Sequence, residues 1–181
     1  MGGAGRMTSH EAMSTSREAA AQRSAAFHCG AFDVPVVSAA ELVAMRSADE
    51  GKRPLVVDVR SAAERVVARI PESLSRDEFE ASGDTYDARD VVVACTVGRR
   101  SGAYAAALAK RRGGRVFNST GICCYSHHAE AYGSGPHALV DAAGAPATRI
   151  HVYARPWDFA SERFEAVKFG PLGAFMAAWR R

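Results

Sequence analysis

Residues 90–101 read Asp-Val-Val-Val-Ala-Cys-Thr-Val-Gly-Arg-Arg-Ser, and this stretch decides the fold class. Its apolar run, Val91 to Ala94, does not alternate with polar residues. That suits a strand buried on both faces, as in a parallel sheet. Cys95 ends the strand. The Ala-rich residues 100–112 form a strong helix signal that stops at Gly113 and Gly114, a C-cap pair.

The pattern recurs on both sides. Residues 54–59, Pro-Leu-Val-Val-Asp-Val, are a second unbroken apolar run. Ser61-Ala-Ala-Glu64 follows as a capping box and opens a helix of about two turns. Upstream, residues 34–37 read as a short strand, and Ser38 with Glu41 caps a helix over roughly 39–47. Downstream, residues 115–118 form a further short strand, and 148–154 alternate as a strand does. Strand alternating with helix predicts an α/β fold with a central, mostly parallel sheet.

The chain has 181 residues, of which 48% are apolar and 24% charged, enough for one domain with short extensions. Gly and Pro counts are ordinary, which excludes collagen-like or Pro-rich chains. No run of about 18 apolar residues is present, so no spanning helix is expected. Four cysteines, at 29, 95, 123 and 124, are too few for a disulfide scaffold. A reducing, cytoplasmic setting is the expectation.

The net charge of +3 hides an uneven distribution. Val91 to Ala129 contains no acid, while Arg99, Arg100, Lys110, Arg111, Arg112 and Arg115 are basic. Residues 72–90 are acidic instead. Such a basic segment is either a solvated helix face or an anion site. It lacks interleaved aromatics, so nucleic acid is not an expected partner.

Cys95-Thr96-Val97-Gly98-Arg99-Arg100-Ser101 is where chemistry is expected. A loop between strand and helix points successive N–H groups at one spot, and the helix dipole adds to them. A thiol in that cradle beside two arginines is favoured as thiolate. In doubly wound sheets, ligands bind beyond the carboxyl ends of strands, where Cys95 falls. The alternative is a small core residue closing a strand, for which Gly98 and two arginines are poor company. Spacing separates two chemistries. A phosphatase-type loop has five residues between Cys and Arg, whereas Arg100 follows Cys95 after four. The shorter loop suits a sulfur atom carried on the cysteine.

Four segments, in order, give a resemblance to the rhodanese-like domain family. Leu55 to Arg60 with Glu64 is similar to the family's strand ending in Asp-x-Arg before a Glu-bearing helix. Arg69-Ile70-Pro71-Glu72-Ser73 stands where the family has His-Ile-Pro-Gly-Ala. Cys95 to Ser101 resembles its active-site loop, Cys-Arg-x-Gly-x-Arg-Ser. Val116-Phe117-Asn118 with Gly121, Ile122 and Tyr125 resembles the closing strand and a Gly-Gly-Ile-x-x-Trp segment. Thr96, Glu72, Thr120 and Tyr125 depart from the usual residues. Leu139-Val140-Asp141, residues 148–153 and Trp157 resemble the C-terminal extension of some small single-domain members.

The resemblance implies helices on both faces of the sheet, and a domain over 31–135 with extensions at 1–30 and 136–181. It implies sulfur transfer from an anionic donor such as thiosulfate to a thiol or cyanide-like acceptor, through a persulfide on Cys95. Thr96, Val97, Gly98, Arg99, Arg100 and Ser101 would bind the donor, and Asp58 and Arg60 would brace the site. No cofactor and no metal are called for. The competing expectations are a non-catalytic interaction domain and a phosphatase or arsenate-reductase relative.

Cys123, Cys124, His127 and His128 are spaced as two i, i+4 pairs pointing in different directions. They read as core filler, as a redox partner for Cys95, or as a metal site completed by His137 or His151. Residues 1–30 have no secretory apolar core and read as a disordered or weakly helical extension that includes Cys29. Arg and Ser there leave organellar import open. Phe164, Val167, Phe169, Leu172, Phe175, Met176 and Trp179 make the C-terminal end apolar, to pack on the domain or bind a protein partner.

Overall fold

The computed structural model describes residues 9–86, 88–112, 115–129 and 138–170. Five strands form one sheet: β1 (Val36–Val37), β2 (Leu55–Asp58), β3 (Leu74–Ser75), β4 (Val91–Ala94) and β5 (Val116–Ser119). Their order is β1-β5-β4-β2-β3, and every neighbouring pair is parallel. The unbroken apolar runs therefore sit where burial on both faces requires them, with β2 and β4 fully buried. Among the described residues no helix is long and apolar enough to cross a membrane.

Alternate residues of the central strands feed two cores. Val56, Val92 and Ala94 point to a core shared with α1 (Ser9–Cys29), α2 (Ala39–Arg46) and α6 (Ile122–His128). Leu55, Val57, Val91 and Val93 point to the other, against Phe79 of α4 (Arg76–Ala81) and Tyr104, Ala105 and Leu108 of α5 (Arg99–Ala109). The expected α/β sheet with helices on both faces is thus present. α3 (Ala62–Val67) follows β2, and both expected capping boxes form, at Ser38 with Glu41 and at Ser61 with Glu64. A third, Ser75 with Glu78, opens α4 inside the stretch read only as acidic. Gly113 and Gly114, the expected C-cap, lie outside the described residues.

The N-terminal reading needs correction. Ser9–Cys29 is not loose but a helix of 21 residues. Ala21, Ala25 and Cys29, spaced at i, i+4 and i+8, are buried on one face. Small residues let α1 lie close to the domain without a large apolar stripe to announce it. Arg17 fastens it, through Asp158 Oδ1 at 2.9 Å and the Ala160 carbonyl at 3.0 Å. The segment after residue 138 packs on the same face, with Leu139, Ile150, Val152 and Phe164 in the core. Within it β6 (Arg149–His151) pairs in parallel with β7 (Glu165–Val167). Leu172, Phe175, Met176 and Trp179 lie outside the described residues.

The basic stretch does not form one anion-receiving face. Arg99 and Arg100 sit at the N-terminal end of α5. Arg115 pairs with Asp90, and Arg111 reaches Glu80 at 3.6 Å beyond the other end. Eleven residues of helix, about 16 Å at 1.5 Å each, separate the two groups.

Candidate active site

Cys95 directly follows β4, and α5 begins four residues later. Gly98 makes the turn with φ 89°, the left-handed region that favours glycine. A Cβ there would fall 2.3 Å from Cys29 Sγ, so the C-terminal end of α1 closes the back of the loop. The backbone N–H groups of Val97, Gly98, Arg99, Arg100 and Ser101 make no hydrogen bond among the described residues. They are the first-turn donors that a helix leaves unused, gathered behind one sulfur.

Ser101 and Asn118 secure that arrangement from below. Asn118 Nδ2 donates to the Gly98 carbonyl at 2.9 Å, and the Ser101 hydroxyl donates to Asn118 Oδ1 at 2.6 Å. The same hydroxyl lies 3.2 Å from Cys95 Sγ. With its single hydrogen on Asn118, it can accept from the thiol S–H. A thiolate would draw that hydrogen to itself. Both residues are fully buried.

Arg100 does not reach into open space. Its guanidinium forms a bidentate pair with Glu64, Nη1 to Oε2 at 2.8 Å and Nη2 to Oε1 at 2.6 Å, and also donates to Thr96 Oγ1 at 2.8 Å. Glu64 accepts further from the Thr96 hydroxyl, the Ser61 hydroxyl and the Ser61 N–H. Burial by itself would raise the Glu64 carboxyl, but the hydrogen bonds and charge of Arg100, with the charge of Arg60, bring it down to about 2. Glu64 was legible as a helix cap and as part of the family resemblance. Its role as the buried counter-ion of the loop arginine was not. Asp58 and Arg60 make a neighbouring buried pair at 2.7 Å, and Arg60 also donates to the Ala68 carbonyl at 2.6 Å. They stiffen the β2–α3 corner that presents Glu64.

The space in front of the sulfur is a pocket partly open to solvent. Cys95, Thr96 and Val97 form its floor, with Arg99 and Arg100 beside them. His28, Tyr153 and Trp157, from α1 and the segment after the sheet, complete the wall. The Arg100 guanidinium lies over the Tyr153 ring at 5.2 Å. Trp157 Nε1 donates to His28 Nε2 at 3.4 Å, which places the imidazole proton on Nδ1. Burial, then the nearby Arg99 charge, lowers His28 further toward the neutral form. Arg99 is exposed and has no ion pair among the described residues. Thr96, Val97, Gly98, Arg99, Arg100 and Ser101 are therefore all gathered around Cys95, with Ser101 and Gly98 acting from behind.

The second cysteine group sits directly behind the loop: the Cys123 N–H donates to the Thr96 carbonyl at 3.2 Å, and its thiol to the Trp157 carbonyl at 3.5 Å. Cys123 and Cys124 are buried in the main core. Burial pushes the Cys124 thiol up to about 11 and the Cys123 thiol higher still. His127 Nε2 is 2.8 Å from the Phe159 carbonyl, while His128 faces Glu18. His151 Nδ1 accepts from the Tyr153 N–H, and His137 lies outside the described residues. No group of three or more His, Cys, Asp or Glu suited to a metal occurs among the described residues.

No protein-family model matches the chain, and no curated protein does. Solved structures similar to it include the following two. One is a rhodanese-like domain protein from Staphylococcus aureus, 22% identical, covering 49% of this chain and 86% of its own, with a TM-score of 0.41. The other is a Rhodopseudomonas palustris protein of unknown function, described as a possible tyrosine phosphatase. It is 16% identical and covers 66% of this chain and 92% of its own, with a TM-score of 0.42.

Proposed function

We propose that the protein is a rhodanese-like sulfurtransferase that carries a sulfane sulfur on Cys95. The observation that supports this best is the loop: a cysteine before five unused backbone N–H groups at the start of α5. The Cys95 thiolate attacks the outer sulfur of a donor such as thiosulfate. The new Sγ–S bond forms as the donor's S–S bond breaks, and sulfite departs with the bonding pair. The amides of residues 97–101 stabilise the resulting persulfide anion. A thiolate or cyanide then attacks the outer sulfur and returns Cys95 as thiolate. Thr96 and Glu64 hold Arg100 in place, so its charge steadies the loop rather than gripping the donor.

Phosphoryl transfer fits less well. It needs an arginine free to embrace a dianion and an acid to protonate the leaving oxygen. Here Arg100 is committed to Glu64, and no carboxyl among the described residues lines the pocket.

Mass spectrometry of the full chain, before and after thiosulfate, is the test. Cys95 should gain one sulfur atom, and Cys95→Ala protein should lose both the adduct and thiocyanate formation from thiosulfate and cyanide. Wild-type protein that acquires no sulfur and turns over no donor would leave a non-catalytic interaction domain as the reading.

A further inference from the structure

The aromatic wall of the Cys95 pocket carries information about the donor that the loop does not. Resting on the sulfurtransferase reading, we infer that the preferred donor is an organic thiosulfonate bearing an apolar, aromatic group, rather than inorganic thiosulfate.

Charge is the first ground. Two cations border the pocket, Arg99 and Arg100. Arg100 is neutralised by fully buried Glu64, just as Arg60 is by Asp58 behind it. His28 accepts from Trp157 and is neutral. Among the described residues only Arg99 remains uncompensated, and the reacting Cys95 thiolate offsets it. A dianion such as thiosulfate therefore enters a site with no surplus positive charge beyond its amide dipoles. A thiosulfonate brings one negative charge instead of two, which reduces both its desolvation cost and its repulsion from the thiolate.

The wall itself is the second ground. Tyr153 and Trp157 meet edge to face with ring centroids 5.6 Å apart, and Phe169 packs on Tyr153 at 5.5 Å. Tyr153 also has φ 69°, a left-handed conformation that strains a non-glycine residue. Its N–H is held by His151 Nδ1 at 3.1 Å, and its ring by Arg100, Trp157 and Phe169. A strained backbone thus fixes an aromatic ring in the wall of the pocket that holds Cys95. Bare thiosulfate has nothing to place against such a face, whereas an aryl group does.

The chemistry is otherwise unchanged. The Cys95 thiolate attacks the outer sulfur of Ar–SO₂–S⁻. The Sγ–S bond forms, the S–SO₂ bond breaks, and an arenesulfinate leaves with the electron pair. The persulfide anion stays on Cys95 for cyanide to discharge as thiocyanate.

Three donors separate the contributions: thiosulfate, methanethiosulfonate and benzenethiosulfonate, each with cyanide as acceptor. The last two share charge and leaving-group class and differ in the ring. The expected result is a kcat/KM for benzenethiosulfonate about tenfold or more above methanethiosulfonate, with thiosulfate lowest. Trp157→Ala should bring the benzene-to-methane ratio close to one. That ratio does not depend on how much of the variant folds. A wild-type ratio near one, a ratio that Trp157→Ala leaves intact, or a thiosulfate value at or above benzenethiosulfonate overturns the inference and spares the sulfurtransferase reading. No sulfur on Cys95 from any donor overturns both.

Discussion

Glu72 and Tyr153 are the two non-glycine residues with positive φ among the described residues, at 60° and 69°. The same strain serves different ends. Tyr153 is tied down by a hydrogen bond and three ring contacts at the pocket. Among the described residues Glu72, itself 71% exposed, has only a long pairing at 4.0 Å with buried Arg46. It also occupies the place where the related motif has glycine, and the left-handed backbone explains why glycine suits that turn. Glu72→Gly should therefore stabilise the protein by up to about 1 kcal/mol, read as a higher urea midpoint at unchanged slope. Cys95, Gly98 and Arg100 were legible in the sequence because thiol, tight turn and cation stand side by side. Glu64 was half legible, since one carboxylate both caps α3 and neutralises Arg100. His28 was not legible as a wall of this pocket, because it lies far from Cys95 in the chain. Tyr153 and Trp157 were noted only as parts of an extension.

The element most altered by folding is α1. Strands with unbroken valine runs and helices with capping boxes announced themselves. α1 did not, because its buried residues are Ala21, Ala25 and Cys29, and alanine marks no apolar stripe. α4 was hidden for another reason: its capping box lies among acids that read as surface charge. The seating of α1 on the loop can be tested at one contact. Gly98→Ala forces a left-handed alanine and drives its Cβ against Cys29 Sγ and, at 3.3 Å, the Ser119 carbonyl. We expect a loss of about 2 kcal/mol or more. Removing the sulfur with Cys29→Ala should return about 1 kcal/mol of it in a double-mutant cycle of chemical denaturation. Strict additivity would show that α1 does not press on the loop.

The whole molecule should carry the signature of its buried carboxylate. Glu64 titrates at about 2 in the folded protein, against an ordinary value of 4.5. A lowered folded value means stability that is fully present above about pH 4.5 and lost as pH falls toward 2. The contribution is on the order of 3 kcal/mol. Glu41, Glu78, Glu80 and Asp158 are also lowered, so the comparison must be with Glu64→Gln. That variant should be less stable near neutral pH, because Arg100 keeps its charge without a partner. Its stability should then fall less steeply than wild type between about pH 4.5 and 2. Parallel acid curves for the two proteins would show that the pair contributes no such dependence.

Trp157 bonds to His28 across 129 residues of sequence, and this span has a consequence for synthesis. The chain is made from its N-terminal end at about 5–20 residues per second. Tyr153 thus follows Cys95 off the peptidyl-transferase centre by several seconds. During that interval Cys95 and the residues after it have been made without the two rings that line their pocket. The wall of this pocket is therefore completed only once the chain beyond residue 157 has been made, well after Cys95 itself.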